Sequence, residues 1–187
     1  MAALSTDDRP IWATAFYGGL RRGELRALRA NAVDLTANEM HVVAGWDDRV
    51  GEQATKGRER RKVPLIGSLR TVLAAHTLQT GRRGADLVFG ETPAVPFNPK
   101  KLTMRADAAW EKAELNRVTL HECRHTFASV AIAAGVNIGT VSAAMGHASV
   151  KVTWDRYHHL MPGTMDEAAE LIQAYIDRPI AEGQTGA

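Results

Sequence analysis

Apolar and polar positions recur along this chain with two different periods, and the change from one to the other divides it. In "PIWATAFYGG" (10–19), Ile11, Ala15 and Phe16 share one face at helical spacing. Ser5 or Thr6 offers a capping oxygen for that helix, Pro10 suits its first turn, and Gly18-Gly19 ends it. "RRGELRALR" resumes the helical period to about Ala30, and "NAVDL" makes a turn. The period then falls to two. "EMHVVAGW" and "RRKVPL" read as strands, with a further strand and its glycine turn in "VGEQATKGRE" between them, and Lys56 lies near this hairpin.

"GSLRTVLAAHTLQTG" restores the amphipathic helical pattern, capped by Ser68 and stopped by Gly81, and "GRRGADLVFGETPAVPF" carries the glycines and prolines of a loop. From Asn98 onward nearly everything is helical. Helices are predicted at about 98–114, 120–134, 138–145, 150–159 and 164–177, with breaks at Asn116, Gly135, Gly146 and Pro162-Gly163. The closing "PIAEGQTGA" reads as a disordered tail. The pattern therefore predicts an α+β fold, mainly helical, with a small three-stranded antiparallel sheet inserted near the N-terminus.

The composition fits this reading: of 187 residues, 45% are hydrophobic and 24% charged, enough for one domain with a substantial core. The longest apolar stretches are too short and interrupted to span a bilayer, and "MAALSTDDRP" lacks the basic and apolar regions of a signal peptide, so a cytoplasmic protein without a membrane partner is expected. Cys123 is the single cysteine, which excludes an internal disulfide and a multi-cysteine metal site. The formal net charge of +2 hides an asymmetry. Residues 163–187 hold five acids and one base, a net of −4, leaving +6 on residues 1–162. Three basic runs, "RRGELRALR", "KGRERRK" and "NPKKLTMR", favour a polyanionic partner such as nucleic acid.

"MGHASVKVTWDRYHHL" (145–160) gathers three histidines, one arginine and one of only three tyrosines. Two readings compete: Tyr157 closes a helix whose Val150, Val152 and Trp154 pack inward, or it is a reactive group. In "HECRH" (121–125), His121 and Arg124 share a helix face while Cys123, Phe127 and Val130 point elsewhere and can pack. His125 either shares that functional face or is a core histidine bonded to backbone, the second reading being preferred, and Trp110 and Trp154 read as core residues.

Taken in order, "GGLRRGEL", "TKGRERRKVPL", "LHECRHTFAS", "MGHAS" and "TWDRYHHL" resemble the catalytic domain of the tyrosine site-specific recombinases, the phage integrase family, over about residues 5–162. The resemblance implies that Tyr157 attacks a DNA phosphodiester to leave a 3′-phosphotyrosyl enzyme and a free 5′-hydroxyl. It implies that Arg21 and Arg124 hold the scissile phosphate, that Lys56 protonates the leaving 5′-oxygen, that His121 accepts a proton and that His147 donates a hydrogen bond to phosphate. Glu24 would orient basic side chains, Arg22 would touch DNA backbone or solvent, and Lys62 or Arg58 are alternatives to Lys56. His159 is expected at a helix end, and His158 is left without a role.

Elementary chemistry suits these assignments. A tyrosine with a pKa of about 10 is ionised to roughly one part in a thousand at neutral pH, so a base or cationic surroundings must help it attack. Guanidinium groups meet phosphate oxygens with paired, charge-assisted hydrogen bonds, whereas a lysine can give up its proton to a leaving alkoxide. No cofactor or metal is required. The implied partners are double-stranded DNA and copies of the chain itself, a tetramer in the synapse, with little association off DNA. The resemblance further implies a catalytic domain over 1–162, a C-terminal helix and tail over 163–187 for contacts between protomers, and a DNA-clamping domain upstream of this chain. A relaxing topoisomerase of the same chemistry, a non-catalytic DNA-binding relative and a metal-dependent nuclease are the rival readings.

Overall fold

The computed structural model describes residues 1–54, 60–161, 163 and 165–177. Among these, helix α1 (Arg9–Gly18) starts a few residues later than the serine and threonine suggest. The Ser5 hydroxyl accepts the Asp8 N–H at 3.1 Å and so closes the turn ahead of the helix. Asp8 in turn is buried and takes both arms of Arg105, at 2.6 and 2.8 Å. Gly19 ends the helix at φ +64°, its N–H bonded to the carbonyl of Ala15. A side chain there would be disfavoured twice, since a Cβ would lie 2.4 Å from the Phe127 ring. That close approach lets α1 pack along α5 (Leu120–Ala133).

Helix α2 (Arg22–Ala27) follows, and the predicted turn at 31–35 becomes a short 3-10 segment (Ala30–Ala32) leading into strand β1 (Val33–Asp34). The sheet differs from expectation in its membership. Its order is β1, β2 (Glu39–Val42), β5 (Arg61–Pro64), all antiparallel, with Val33 opposite Met40 and Met40 opposite Val63. The remainder of "EMHVVAGW" leaves at Val43 and forms β3 (Ala44–Asp47), paired only with β4 (Gly51–Ala54) in a separate hairpin. Backbone packing explains the split: β3 lies against α2 so closely that a Cβ on Gly23 would be 3.0 Å from the Trp46 carbonyl oxygen.

Helices α3 (Gly67–Thr80), α4 (Pro99–Lys112), α5, α6 (Ile138–Met145), α7 (Val150–Tyr157) and α8 (Met165–Ile176) follow close to their predicted places. Asn98 accepts from Lys100 and Lys101, Thr119 and Glu122 form a reciprocal capping box, and Asn137 accepts from Gly139. The expected Ser68 cap does not form, because α3 already begins at Gly67 after Ile66 and Ser68 lies within its first turn. None of these helices is long and apolar enough to cross a membrane.

Two apolar clusters result. The larger joins α1 to α5 and one face of the β2–β5 pairing, through Trp12, Leu20, Leu25, Met40, Val63, Leu69 and Trp110. Trp12 and Trp110 meet edge to face, 5.9 Å between centroids. The smaller cluster is Ala128, Ile132, Val141, Met145 and Tyr157, between α5, α6 and α7. Gly19→Ala should test the α1–α5 approach: left-handed strain and the clash with Phe127 together should remove at least about 2 kcal/mol of stability in urea unfolding.

Candidate active site

The site is built around one buried carboxylate. Glu24, 4% exposed, sits in the first turn of α2 and accepts the Arg21 backbone N–H at 2.7 Å and the Arg21 guanidinium at 2.9 Å. Arg61 reaches it from β5 with a two-armed contact at 2.8 and 2.6 Å and donates its Nε to the Ala144 carbonyl at 2.8 Å. Arg124 Nη1 is 4.0 Å from the same carboxylate. Burial alone would raise the Glu24 pKa, but the Arg61 hydrogen bonds and charge, helped by Arg21, hold it below the ordinary carboxyl value.

The arginines also bind the C-terminal end of α6. Arg21 Nη2 donates to the Gly146 carbonyl at 2.7 Å, and Arg124 donates to the carbonyls of Met145 and Gly19. Cations belong at that end of a helix dipole. Gly146, at φ +61°, reverses the chain there, and an added Cβ would press on the Arg61 side chain at 3.0 Å. Burial, and then the charge of Arg21, draws the Arg124 pKa down to about 10, which still leaves it charged at neutral pH.

His147 follows directly and bonds the Thr153 hydroxyl through Nδ1 at 2.7 Å. Burial and the nearby Arg124 and Arg21 push its pKa down to about 4, so the ring is neutral at pH 7. One turn after Thr153 comes Tyr157, 4% exposed, its ring in the smaller apolar cluster. Its hydroxyl lies 2.5 Å from His125 Nδ1. His125 Nε2 is 2.9 Å from His121 Nε2 and 3.3 Å from Arg156 Nη1. Burial raises the Tyr157 pKa, opposed by the charges of Arg156 and Arg124.

Glu24 and the end of α6 thus hold Arg21 and Arg124 together, His125 links His121 to Tyr157, and longer-range charge from Arg124 reaches both His147 and Tyr157, which makes one electrostatic network. Lys56 and Arg58 lie outside the described residues. Lys62 does not join the network but pairs with Glu39 at 2.9 Å on the sheet. The inward-packing reading of α7 is wrong. Val150, Val152 and Trp154 are exposed, Trp154 by 50%, and stack or project outward while Thr153 and Tyr157 face in. His125 is likewise no backbone-bonded core histidine, since its partners are Tyr157 and His121. His158 and His159 fall in the 3-10 turn after α7 and are exposed, His158 bonding the Trp154 carbonyl.

Arg61, His125 and Thr153 were not singled out as site residues by sequence reasoning, although each left a trace. Arg61 shares the buried face of β5 with Val63, two positions on. His125 and Thr153 lie four residues from His121 and Tyr157, hence on the same helix faces. The basic runs divide as well: Arg26 bonds Asp48 and Phe97, and Arg29 bonds Glu52 and Ala85, while Arg22 is exposed. Among the described residues no group of three or more His, Cys, Asp or Glu side chains is arranged to hold a metal.

The profile of the Phage integrase family matches residues 1–163. The chain belongs to the phage integrase family. Among similar family members, the prophage integrase IntR of Escherichia coli strain K12 is 27% identical over 188 residues, covering 88% of this chain and 46% of the relative. The ICEBs1 integrase of Bacillus subtilis strain 168 is 26% identical over 178 residues, covering 87% and 47%. The chain therefore spans about half the length of these relatives. Its fold matches that of the Tn1549 transposon integrase in complex with a circular intermediate DNA, at TM-score 0.70 and 20% identity, covering 88% of this chain and 57% of that one. It also matches the catalytic domain of bacteriophage HP1 integrase, at TM-score 0.57 and 20% identity, covering 91% and 84%.

The Glu24–Arg61 pair is a test of how this family member holds its site. Arg61→Met should lower stability by about 3 kcal/mol or more, because it strands a buried charge. A depressed Glu24 pKa stabilises the fold above the ordinary carboxyl range and stops doing so as pH falls through the folded value. Unfolding free energy measured against pH should therefore drop below about pH 4.3, and Glu24→Gln should flatten that drop.

Proposed function

We propose that this chain is the catalytic part of a site-specific DNA recombinase that cleaves and rejoins strands through a 3′-phosphotyrosine. The observation that carries the reading is a tyrosine hydroxyl bonded to a histidine, beside two arginines fixed by one buried carboxylate and one neutral histidine. Tn1549 integrase and XerH recombinase, which share the fold, were solved with their DNA, and the same partner suits this site.

In this reading Arg21 and Arg124 bind the two non-bridging oxygens of the scissile phosphate, and neutral His147 donates its Nε2–H to one of them. Thr153 fixes that tautomer by donating its hydroxyl proton to Nδ1. The Tyr157 oxygen forms the new bond to phosphorus, the bond from phosphorus to the 5′-oxygen breaks, and Lys56 protonates that oxygen. The reverse sequence rejoins the strand. Arginine suits the phosphate role because charge develops on oxygens that a planar fork can meet pairwise.

The C-terminal part fits an assembly role. Helix α8 is amphipathic in sequence, with Ile172 61% exposed and Ile176 also exposed. Between α1, β5, α5 and α6 runs an apolar groove of about 320 Å³, lined by Phe16, Tyr17, Ile66, Phe127, Val130 and Val136. An α8 helix from a second copy fills it in our reading, which links protomers on DNA in a closed ring.

Two measurements test this. A pool of nicked duplexes with randomised arms, incubated with the chain, should yield a covalent adduct that protease removes. Tyr157→Phe should abolish it with DNA affinity retained, and Arg124→Lys should slow it by ~10²–10³. An adduct formed by the phenylalanine variant contradicts the nucleophile. For assembly, Val130→Glu and Ile172→Glu change exposed positions and should each reduce multimer formation on DNA in sedimentation, leaving single-site binding intact. Equal sedimentation of parent and variants contradicts the helix-in-groove contact.

A further inference from the structure

The geometry points to a two-histidine proton path out of the nucleophile: we infer that His125 Nδ1 takes the Tyr157 phenol proton and that His121, the next ring along α5, passes charge to solvent. This inference rests on the recombinase reading of the site. The direct neighbour of the phenol is His125, at 2.5 Å, and not His121, which touches only the far nitrogen of His125 at 2.9 Å. The two imidazoles stand edge to face, 4.4 Å between centroids, on one face of α5. His121 is exposed while His125 is half-buried, so the path runs from the packed hydroxyl to water.

The hydrogen-bond chain has one arrangement that permits transfer, and in it the Arg156 guanidinium, 3.3 Å from His125 Nε2, acts as a nearby charge and not as a donor to that nitrogen. Tyr157 O–H donates to His125 Nδ1, His125 Nε2–H donates to His121 Nε2, and His121 carries its own proton on Nδ1. A phenol is a stronger acid than a neutral imidazole N–H, which favours this direction. As the Tyr157 oxygen forms its bond to phosphorus, its proton moves to His125 Nδ1, and the electron pair of the O–H bond stays on the attacking oxygen. The imidazolium then yields its Nε2 proton to His121 Nε2, and His121 releases its Nδ1 proton to water. The 5′-oxygen leaves with the electron pair of the broken P–O bond and takes its proton from the general acid.

The surroundings keep His125 ready to accept. From α7 it faces Tyr157 and Arg156, from α5 His121, Arg124 and Glu122, and from the turn after α6 His147. Burial first, then the charges of His121, Arg156 and Arg124, lower its pKa, with Glu122 opposing. The ring is thus neutral at pH 7. Proton transfer from a phenol of raised pKa to such a ring is uphill in the resting site, so it accompanies attack and does not precede it. This ties phenolate formation to the presence of a phosphate.

The chain itself, labelled with nitrogen-15, supplies a readout that needs no DNA. Its spectrum should show His125 as the Nε2–H tautomer, with an Nδ1 resonance that moves in Tyr157→Phe. An Nδ1–H on His125 overturns the path. With the nicked-duplex pool, His125→Asn keeps an acceptor near the phenol but cannot carry a proton away. Single-turnover cleavage should slow by ~10²–10⁴ at unchanged DNA affinity, and an acid-side fall in rate, displaced below the ordinary imidazole range, should vanish. His121→Asn should slow it less, since water can take the outer place. Cleavage by His125→Asn within about threefold of the parent, or a larger loss in His121→Asn than in His125→Asn, overturns the assignment. Absence of any adduct from the unsubstituted chain contradicts the recombinase reading, and the nitrogen spectrum still decides the tautomer.

Discussion

A single carboxylate makes the rest of this site physically possible. Arg21, Arg61 and Arg124 come from α2, β5 and α5, and three guanidiniums could not share so small a volume without a counter-ion. Glu24 supplies one, and because it is buried its attraction for them is weakly screened. The backbone adds to it. The carbonyls at 144 to 146 accept from all three arginines, so the negative end of α6 completes the neutralisation. Arg21 and Arg124 are therefore oriented by the fold itself, and Arg61, which reaches the same carboxylate from β5, ties the sheet to them.

That division explains a chemical asymmetry. Arg61 is buried with each of its three nitrogens bonded to Glu24 or Ala144, whereas Arg21 is half exposed. The same logic separates the histidines. His147 lies near Arg124 and Arg21 and is held neutral, while His125 binds the Tyr157 hydroxyl and His121 lies beyond it, exposed to solvent. Groups of one residue type thus acquire different tasks from burial and neighbours alone.

Much of this was legible in the chain. Helix positions followed from period and caps, because Asn98, Thr119 and Asn137 satisfy their own helix ends locally. The motif residues were legible because the chemistry demands particular side chains. What was not legible depends on contacts between distant segments. The desertion of β3 from the sheet needs the backbone of α2 against Trp46, 23 residues away from Gly23. His125 reads as filler until α7 brings Tyr157 to it from 32 positions away. Trp154 looks like core by type, yet α7 buries only Thr153 and Tyr157, because the smaller cluster admits one narrow face.

Tyr157 belongs to that smaller cluster and not to the larger one around Trp12 and Met40. Its ring is held by Ala128, Ile132, Val141 and Met145, a modest set of aliphatic neighbours. Opening free energy varies across a fold, and a small satellite cluster opens more readily than the main core. A brief local melting of α6 and α7 would withdraw Tyr157 from His125 while the sheet, α1 to α4 and most of their packing stay intact. The stability that governs how often this tyrosine is in place is therefore that of a few side chains around one aromatic ring, a quantity separate from the stability that keeps the chain folded.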